Sequence, residues 1–247
     1  MSKRTHRVFE LSLLSCLAGI TFACFAFFPA VAGVGAWTSN GPELGHVRDV
    51  AIDPSAPQNV YAATVGGLFK SVDGGSSWSR VFITTPNQIS LTVFYAVAVS
   101  PSGRVYVGTQ YYDSLWWSDD GGQNWFPGSG LPDHNPPWTI VVDPTAPHTT
   151  LFGATPGPGV YRSDDGGMNW VQAMGTAPNA LPFGVTTDLT FDGSTIYACG
   201  ANNRGVWKST DLGANWYPVG AGLPTQSVRA MALDPTGNLY VATHQQG

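Results

Sequence analysis

The carboxylates outside any repeated motif are the residues of this chain that could do acid–base chemistry. Hydrolysis of a glycosidic bond uses two carboxyl groups, one as an acid and the other as a base or nucleophile. Four aspartates could face a cleft in this way: Asp49, Asp113, Asp133 and Asp188. Asp113 and Asp133 are the candidate catalytic residues, since each lies in a polar segment predicted as a loop. Nothing in their spacing pairs any two of the four, so no catalytic set is predicted.

A second group of side chains is suited to binding. Each of these residues stands five positions before the residue that begins a turn after a predicted strand: Arg48, Tyr95, Trp138, Thr187 and Arg229. Guanidinium groups suit carboxylates, and flat aromatic rings suit sugars. The alternative is that these are ordinary exposed residues at the starts of strands. Predicted loops add four further candidates for ligand binding: Tyr111, Tyr112, Asn202 and Arg204.

One eight-residue pattern, Ser-x-Asp-x-Gly-x-x-Trp, occurs four times, and we call each copy an octet. The four octets contain Ser71, Asp73, Gly75, Trp78; Ser118, Asp120, Gly122, Trp125; Ser163, Asp165, Gly167, Trp170; and Ser209, Asp211, Gly213, Trp216. Their tryptophans follow one another at intervals of 47, 45 and 46 residues. Glycine tolerates positive φ in a turn, and an aspartate accepts hydrogen bonds from turn N–H groups. The octets therefore predict structural hairpins. A calcium loop would need more oxygen ligands than they carry.

Each repeat also contains alternating apolar segments that predict four short antiparallel strands. An Asp-Pro or similar turn ends the first strand, a Tyr or Phe marks the second, the third runs into the octet, and the fourth starts at the octet tryptophan. Four strands in about 46 residues match one blade of a β-propeller. The predicted fold is all-β, with about five blades visible. Only two strands of a fifth blade are expected, which favours a fragment of a larger propeller over a chain that closes imperfectly on five blades.

The octets resemble the BNR/Asp-box repeats of sialidases, sortilin-type receptors, xyloglucan-cleaving glycosidases and photosystem II stability/assembly factors. The resemblance covers residues 37–247. It implies octet hairpins on one rim, ligand sites around the channel on the opposite face, and a glycan or protein partner. A sialidase also needs an Arg-Ile-Pro motif and a Tyr–Glu pair. No arginine after residue 32 precedes Ile-Pro, and Glu43 is the one glutamate there, so sialidase activity is not expected.

The first 32 residues have the pattern of a secretory signal peptide. A basic segment precedes an apolar run from Leu11 to Phe28, and Ala30-Val31-Ala32 predicts cleavage before Gly33. The run is also near the lower limit for a spanning helix, so an uncleaved anchor is the alternative. We expect residues 33–247 to form the propeller in the periplasm, outside the cell or on its surface, with no membrane contact after cleavage.

The mature chain excludes several classes of function. Removing residues 1–32 takes away three of 11 basic residues and one of 16 acidic residues, which leaves a net charge of −7. An acidic chain without a basic cluster is not expected to bind nucleic acid. Cys199 would be its one cysteine, and the histidines have no metal-binding spacing, so we expect no metal and no cofactor. Oligomeric state cannot be read from the sequence.

These observations favour a binding or assembly module without catalytic activity. The first alternative is part of a secreted glycoside hydrolase, xyloglucanase-like or sialidase-like. The second is a protein similar to a photosystem assembly factor.

Overall fold

The computed structural model describes most of the chain after residue 40. The described residues are 41–42, 46–81, 93–110, 114–132, 134–144, 151–155, 157, 159–182, 184, 186–200, 204–220 and 227–244. The predicted signal peptide and its cleavage site lie outside these residues. All regular elements in the described part are β-strands.

Within the described residues, eighteen strands form four four-stranded antiparallel sheets and one two-stranded sheet. The first sheet contains β1 (Val47–Ile52), β2 (Val60–Thr64), β3 (Gly67–Ser71) and β4 (Ser79–Val81). The second contains β5 (Phe94–Val99), β6 (Val105–Thr109), β7 (Leu115–Ser118) and β8 (Phe126–Pro127). The third contains β9 (Thr139–Val142), β10 (Leu151–Thr155), β11 (Gly159–Ser163) and β12 (Val171–Gln172). The fourth contains β13 (Thr186–Phe191), β14 (Ile196–Gly200), β15 (Val206–Ser209) and β16 (Tyr217–Val219). The fifth contains β17 (Ser227–Leu233) and β18 (Leu239–His244).

The strands follow chain order within every sheet, and the first strand of each sheet contacts the first strand of the next. Side chains alternate between the two faces of a strand, so each sheet has one face toward the preceding sheet and one toward the following sheet. We call these the N-side face and the C-side face. At the first boundary, Phe94 and Val97 on an N-side face pack against Tyr61 and Ala63 on a C-side face. The core is therefore a series of layers between successive sheets.

Each octet forms the hairpin between the third and fourth strands of its sheet. The serine Oγ donates to the aspartate Oδ1 at 2.7–2.8 Å, and it accepts from the octet glycine N–H at 2.8–2.9 Å. The aspartate Oδ1 accepts the backbone N–H four residues later at 2.8–2.9 Å. Hydrogen bonds from Ser77 and Ser71 hold the pKa of Asp73 at about 2. The carboxylates are therefore occupied by their own turns.

The fourth octet departs from the other three at the residue after its aspartate. That residue has positive φ in every octet, 69° at Gly74, 69° at Gly121 and 73° at Gly166. In the fourth octet it is Leu212, with φ 57°. A side chain in this region of φ/ψ space clashes with the backbone, so the fourth hairpin is strained at this residue.

Candidate functional site

The five candidate binding residues Arg48, Tyr95, Trp138, Thr187 and Arg229 are called the ring, and all of them except Trp138 lie at β-bulges in the first strands of the sheets. Register shifts occur between Val47 and Asp49, Phe94 and Ala96, Thr186 and Asp188, and Val228 and Ala230. The extra residues in these bulges are Arg48, Tyr95, Thr187 and Arg229. Trp138 immediately precedes β9, and its N–H donates to the Ala154 carbonyl at 2.7 Å. A bulge re-aims its side chain, which explains how one residue per sheet can leave the packed layers.

Two members of this ring touch across a sheet boundary. The Arg48 guanidinium carbon lies 4.2 Å from the centroid of the Tyr95 ring, which is the geometry of a cation–π contact. Arg48 and Arg229 are exposed, and Trp138 is 36% exposed. No ion pair is found for either arginine within the described residues. Arg48 and Tyr95 therefore place a guanidinium group and an aromatic ring side by side, and Trp138 and Arg229 are exposed at the equivalent positions of other sheets.

Thr187 differs from the other bulge residues because its side chain links two sheets. Its hydroxyl donates to the Val228 carbonyl at 2.9 Å and lies 3.2 Å from the Cys199 sulfur. Because this bond joins the fourth sheet to the fifth, we assign Thr187 no part in binding.

Two aspartates follow directly after bulge residues, and each joins neighbouring sheets. The carboxylate of Asp49 accepts the N–H groups of Val50 at 2.8 Å and Val97 at 2.9 Å. Burial raises the pKa of Asp49 to about 6 despite these bonds, and repulsion from Asp188 adds to the shift. The charge of Asp188 is thus a minor contribution to the raised pKa of Asp49, and burial is the main one.

Asp188 repeats this arrangement in the fourth sheet. Its carboxylate accepts from the Met231 N–H at 2.6 Å, the Leu189 N–H at 2.9 Å and the Thr139 hydroxyl at 3.1 Å. Burial raises its pKa, and these three hydrogen bonds oppose the shift. A carboxyl group with a raised pKa can act as a general acid, but both oxygens of each aspartate are already engaged.

The remaining candidates are described only in part. Asp113, Tyr111, Tyr112, Asp133 and Asn202 lie outside the described residues. Arg204 is exposed, and its backbone carbonyl accepts from the Trp207 indole at 3.1 Å. The assignment of Asp113 and Asp133 as candidate catalytic residues thus stays a prediction.

A set of cations between the sheets was not foreseen from the sequence. The carbonyl that follows the octet aspartate accepts a side-chain donor from the preceding sheet at three boundaries. Lys70 donates to Gly121 at 3.0 Å, Arg104 to Gly166 at 2.9 Å and Arg162 to Leu212 at 3.0 Å. Lys70, Arg162 and Lys208 all stand immediately before an octet serine, and this was the available signal.

In the second sheet the residue before the octet serine is Trp117. The cation of this sheet is Arg104, which immediately precedes β6. Arg104 lies 4.2 Å above the Trp117 ring and forms an ion pair with Asp119 through Nε at 2.6 Å. Side chains from different strand positions therefore donate to the equivalent carbonyl of successive octet turns.

A cavity of about 410 Å³ lies away from the ring, between the edge of the third sheet and the fourth octet. Its lining includes Val171, Gln172, Thr176, Leu212 and Asn215. Its lining includes the octet residue Gly213 but none of the predicted catalytic or ligand-binding residues, so we centre the candidate site on the ring. In the described part of the chain, no three His, Cys, Asp or Glu side chains cluster as metal ligands. Within the same residues, no helix has the length and apolar character needed to cross a membrane.

Comparison with known proteins supports the architecture. A family model described as "Two component regulator propeller" matches residues 222–245. The GH74 enzyme of Niastella koreensis aligns over 77% of this chain and 32% of its own, with 20% identity and a TM-score of 0.61. The extracellular domain of BT3049 from B. thetaiotaomicron aligns over 83% and 28%, with 17% identity and a TM-score of 0.62. The fold is a β-propeller.

A third structure, titled "YCF48 bound to D1 peptide", aligns over 83% of this chain and 64% of its own, with 18% identity and a TM-score of 0.60. At these identities the structural likeness establishes the fold alone.

Two xyloglucanases are similar in sequence. Xgh74A of Acetivibrio thermocellus is 26% identical over 118 residues, 42% of this chain and 14% of the enzyme. The xyloglucanase of Hypocrea jecorina is 31% identical over 103 residues, 37% of this chain and 11% of the enzyme. The chain therefore spans a small part of the length of these relatives.

Proposed function

We propose that this protein is an exported Asp-box propeller module that binds a glycan or a protein partner through the bulge residues of its first strands. The observation that carries the proposal is the Arg48–Tyr95 stack, with exposed Trp138 and Arg229 at equivalent positions of other sheets. The Asp-box assignment rests on the four octets. The proposal includes removal of residues 1–32, which N-terminal sequencing of the exported protein would test.

The chemistry of this surface suits binding. The chain is acidic overall, with a net charge of −5, yet two exposed arginines face solvent here. The stack holds the Arg48 guanidinium flat against a ring, so its N–H edge is pre-oriented for an acceptor oxygen. Trp138 offers a partly exposed indole to a sugar face or an apolar side chain. None of these contacts requires a catalytic carboxylate.

Xyloglucan oligosaccharides are the first probe, because the sequence relatives are xyloglucanases. Calorimetric titration should detect binding that Tyr95→Ala and Trp138→Ala each weaken about tenfold, since a central aromatic contact contributes over 1 kcal/mol. Phe126→Ala is the matched control, because Phe126 is an exposed aromatic on β8 that stacks on Trp117 at the sheet edge. Equal losses in all three variants would contradict the proposed surface. A protein partner would be indicated if the oligosaccharides fail but arginine-dependent capture of an exported protein succeeds.

A glycoside hydrolase is the second candidate. It is favoured by the xyloglucanase matches and by the pKa of Asp49, which burial raises to about 6. Against it, both oxygens of Asp49 and Asp188 accept hydrogen bonds from neighbouring strands. Release of reducing sugar by the purified protein, abolished by Asp49→Asn, Asp113→Asn or Asp133→Asn, would replace the binding proposal with this one. An assembly-factor role ranks last, because it rests on a likeness of fold at 18% identity.

A further inference from the structure

The connection that follows the fourth strand of a sheet packs against the octet of the next sheet. In the second sheet Ser129 stands four residues after the octet tryptophan. Its N–H donates to the Met168 carbonyl of the third octet, and its carbonyl accepts from the Trp170 N–H, both at 2.8 Å. A Cβ on the preceding Gly128 would lie 2.7 Å from the Gly167 carbonyl. The connection and the third octet are therefore in direct contact.

The same connection is five residues longer in the third sheet. Asn179 is the counterpart of Ser129, because its carbonyl accepts from the Trp216 N–H of the fourth octet at 2.8 Å. It stands nine residues after the octet tryptophan of its own sheet instead of four. We call the extra residues 174–178 the extension. The cavity of about 410 Å³ lies here, between β12, the extension and the fourth octet.

The extension also redirects a backbone hydrogen bond. The N–H of Asn179 donates to the Thr176 carbonyl at 2.9 Å. Its counterpart Ser129 instead donates to the Met168 carbonyl of the neighbouring octet. Ala214 takes the place of Met168 in the fourth octet, and it lines the cavity. A carbonyl that is bound by the connection at one boundary is thus left by Asn179 at the next.

Leu212 lines the same cavity in a strained conformation. Its φ is 57°, and glycine stands at this position in the other three octets. Strain of this kind persists only where the surrounding structure fixes it, and it clusters at sites that bind ligands. Arg162 holds this turn in place, because its Nη1 donates to the Leu212 carbonyl at 3.0 Å. The leucine side chain adds apolar surface that a glycine would lack.

The lining determines which ligand chemistry fits the cavity. Val171 and Leu212 supply exposed aliphatic surface. The cation of the lining is Arg162, and Asp164 neutralises it, because Nε and Nη2 both donate to the Asp164 Oδ2, at 2.9 and 2.6 Å. These bonds and the one to Leu212 use three of the five guanidinium N–H groups. The lining, all of it within the described residues, has no aromatic ring for a sugar face and no carboxylate.

We propose that this cavity binds a peptide segment through one aliphatic side chain and the peptide groups beside it. The aliphatic side chain lies against Val171 and Leu212. A peptide carbonyl accepts from Arg162, and a peptide N–H donates to the Ala214 carbonyl. A peptide combines these three features, whereas an anionic ligand would need an unpaired cation. The site is separate from the ring, and its occupation does not depend on a ligand there.

The test is a titration of the isotopically labelled protein with acetyl-Ala-Leu-Ala-amide, followed by the chemical shifts of the backbone amides. We expect shifts at residues 171–176 and 212–215 that saturate with a Kd of about 1 mM or below. Acetyl-Ala-Ser-Ala-amide lacks the aliphatic side chain and should bind at least about tenfold more weakly. Equal binding of the two peptides would overturn the proposal, as would the absence of saturable shifts up to about 10 mM of the leucine peptide.

Leu212→Gly separates a binding role from a structural one. It should weaken binding of the leucine peptide at least about tenfold and raise the urea midpoint of unfolding, because the strain at a φ of 57° is relieved. A loss of binding in a more stable protein cannot come from misfolding. An unchanged Kd in this variant would overturn the assignment of the aliphatic wall.

Val171→Asp tests the opposite wall and should also weaken binding at least about tenfold. Val72→Asp is its matched control, because Val72 is an equally exposed valine of the first octet, and aspartate stands at the equivalent position of the second and third octets. It should bind like the parent, and equal losses in both variants would overturn the proposed site.

Variants of the ring keep this test independent of the proposed function. Tyr95→Ala and Trp138→Ala should leave the Kd for the leucine peptide unchanged, and a loss in either would place the peptide at the ring. Xyloglucan oligosaccharides should not shift the amides of residues 171–176 and 212–215. If they do so and the leucine peptide does not, the cavity is a sugar site and the proposal is wrong.

Discussion

Ionised Asp49 should destabilise the folded protein at neutral pH. Its folded pKa is about 6, raised from 3.8 mainly by burial, so folding favours the protonated form. The penalty is therefore present above pH 6 and is relieved as the pH falls from 6 toward 4. The linkage relation gives a cost of about 3 kcal/mol at pH 7.5 and about 1 kcal/mol at pH 4.5.

Asp49→Asn isolates this effect from the other carboxylates. An asparagine keeps an acceptor oxygen for one of the two N–H groups of Val50 and Val97 and cannot ionise. One lost hydrogen bond costs about 1 kcal/mol, so the variant should be about 2 kcal/mol more stable than the parent at pH 7.5. This advantage should vanish by pH 4.5. The octet aspartates, whose pKa values are lowered, destabilise both proteins equally in acid and cancel in the difference.

Urea unfolding followed by tryptophan fluorescence at half-unit steps from pH 4.5 to 7.5 measures the difference. The reasoning is refuted if the stability difference between Asp49→Asn and the parent stays constant across this range. Asp49→Ala provides the control for the acceptor, because it removes the charge and both hydrogen bonds. It should be less stable than Asp49→Asn at every pH.

Three further predictions concern the hairpins and the sheet boundaries. Leu212→Gly should raise the free energy of unfolding by about 1 kcal/mol, because it relieves the side-chain strain at a φ of 57°; a decrease in urea unfolding would show that the leucine side chain packs more than it strains. Gly75→Ala and Gly167→Ala introduce the same methyl at φ values of 92° and 87°, but only the second meets the Tyr106 ring at 2.8 Å, so it should cost about 1–3 kcal/mol more. Equal losses of melting temperature in Gly75→Ala and Gly167→Ala would show that the added methyl group at residue 167 does not press on the Tyr106 ring. Arg104→Met should cost about 1–2 kcal/mol, because it removes the bonds to Asp119 and to the Gly166 carbonyl; an unchanged denaturation midpoint would mean that water replaces both.

The repeat made the hairpins and the sheet order predictable, because local patterns determine both. Ser71, Asp73 and Gly75 form one turn with contacts no more than a few residues apart, and the Val and Tyr residues that begin Val105–Thr109 mark a strand directly. The sequence also showed that Arg48 and Tyr95 occupy equivalent positions, because each stands five residues before the residue that begins a turn.

Contacts between sheets were not predictable in the same way. Asp49 and Val97 are 48 residues apart, and Lys70 and Gly121 are 51 apart, so no local pattern pairs them. Asp49 was singled out as a carboxylate that could face a cleft, yet its neighbours in the fold make it a link between two sheets. The contact of Arg104 was not predictable for the same reason. Its side chain reaches an octet turn carbonyl from the residue before β6, whereas Lys70 and Arg162 reach the equivalent carbonyls from the third strands of their sheets.

The repeated contacts between successive sheets also determine how a chain of this kind can change length. At three of the four boundaries in the described part of the chain, a cation of one sheet donates to an octet turn carbonyl of the next. Inserting one whole unit of 45–47 residues between two sheets would replace one boundary with two of the same kind and leave no layer uncovered. An insertion of any other size would leave a cation or a turn without its counterpart. Growth by complete units is therefore the change in length that this packing tolerates best.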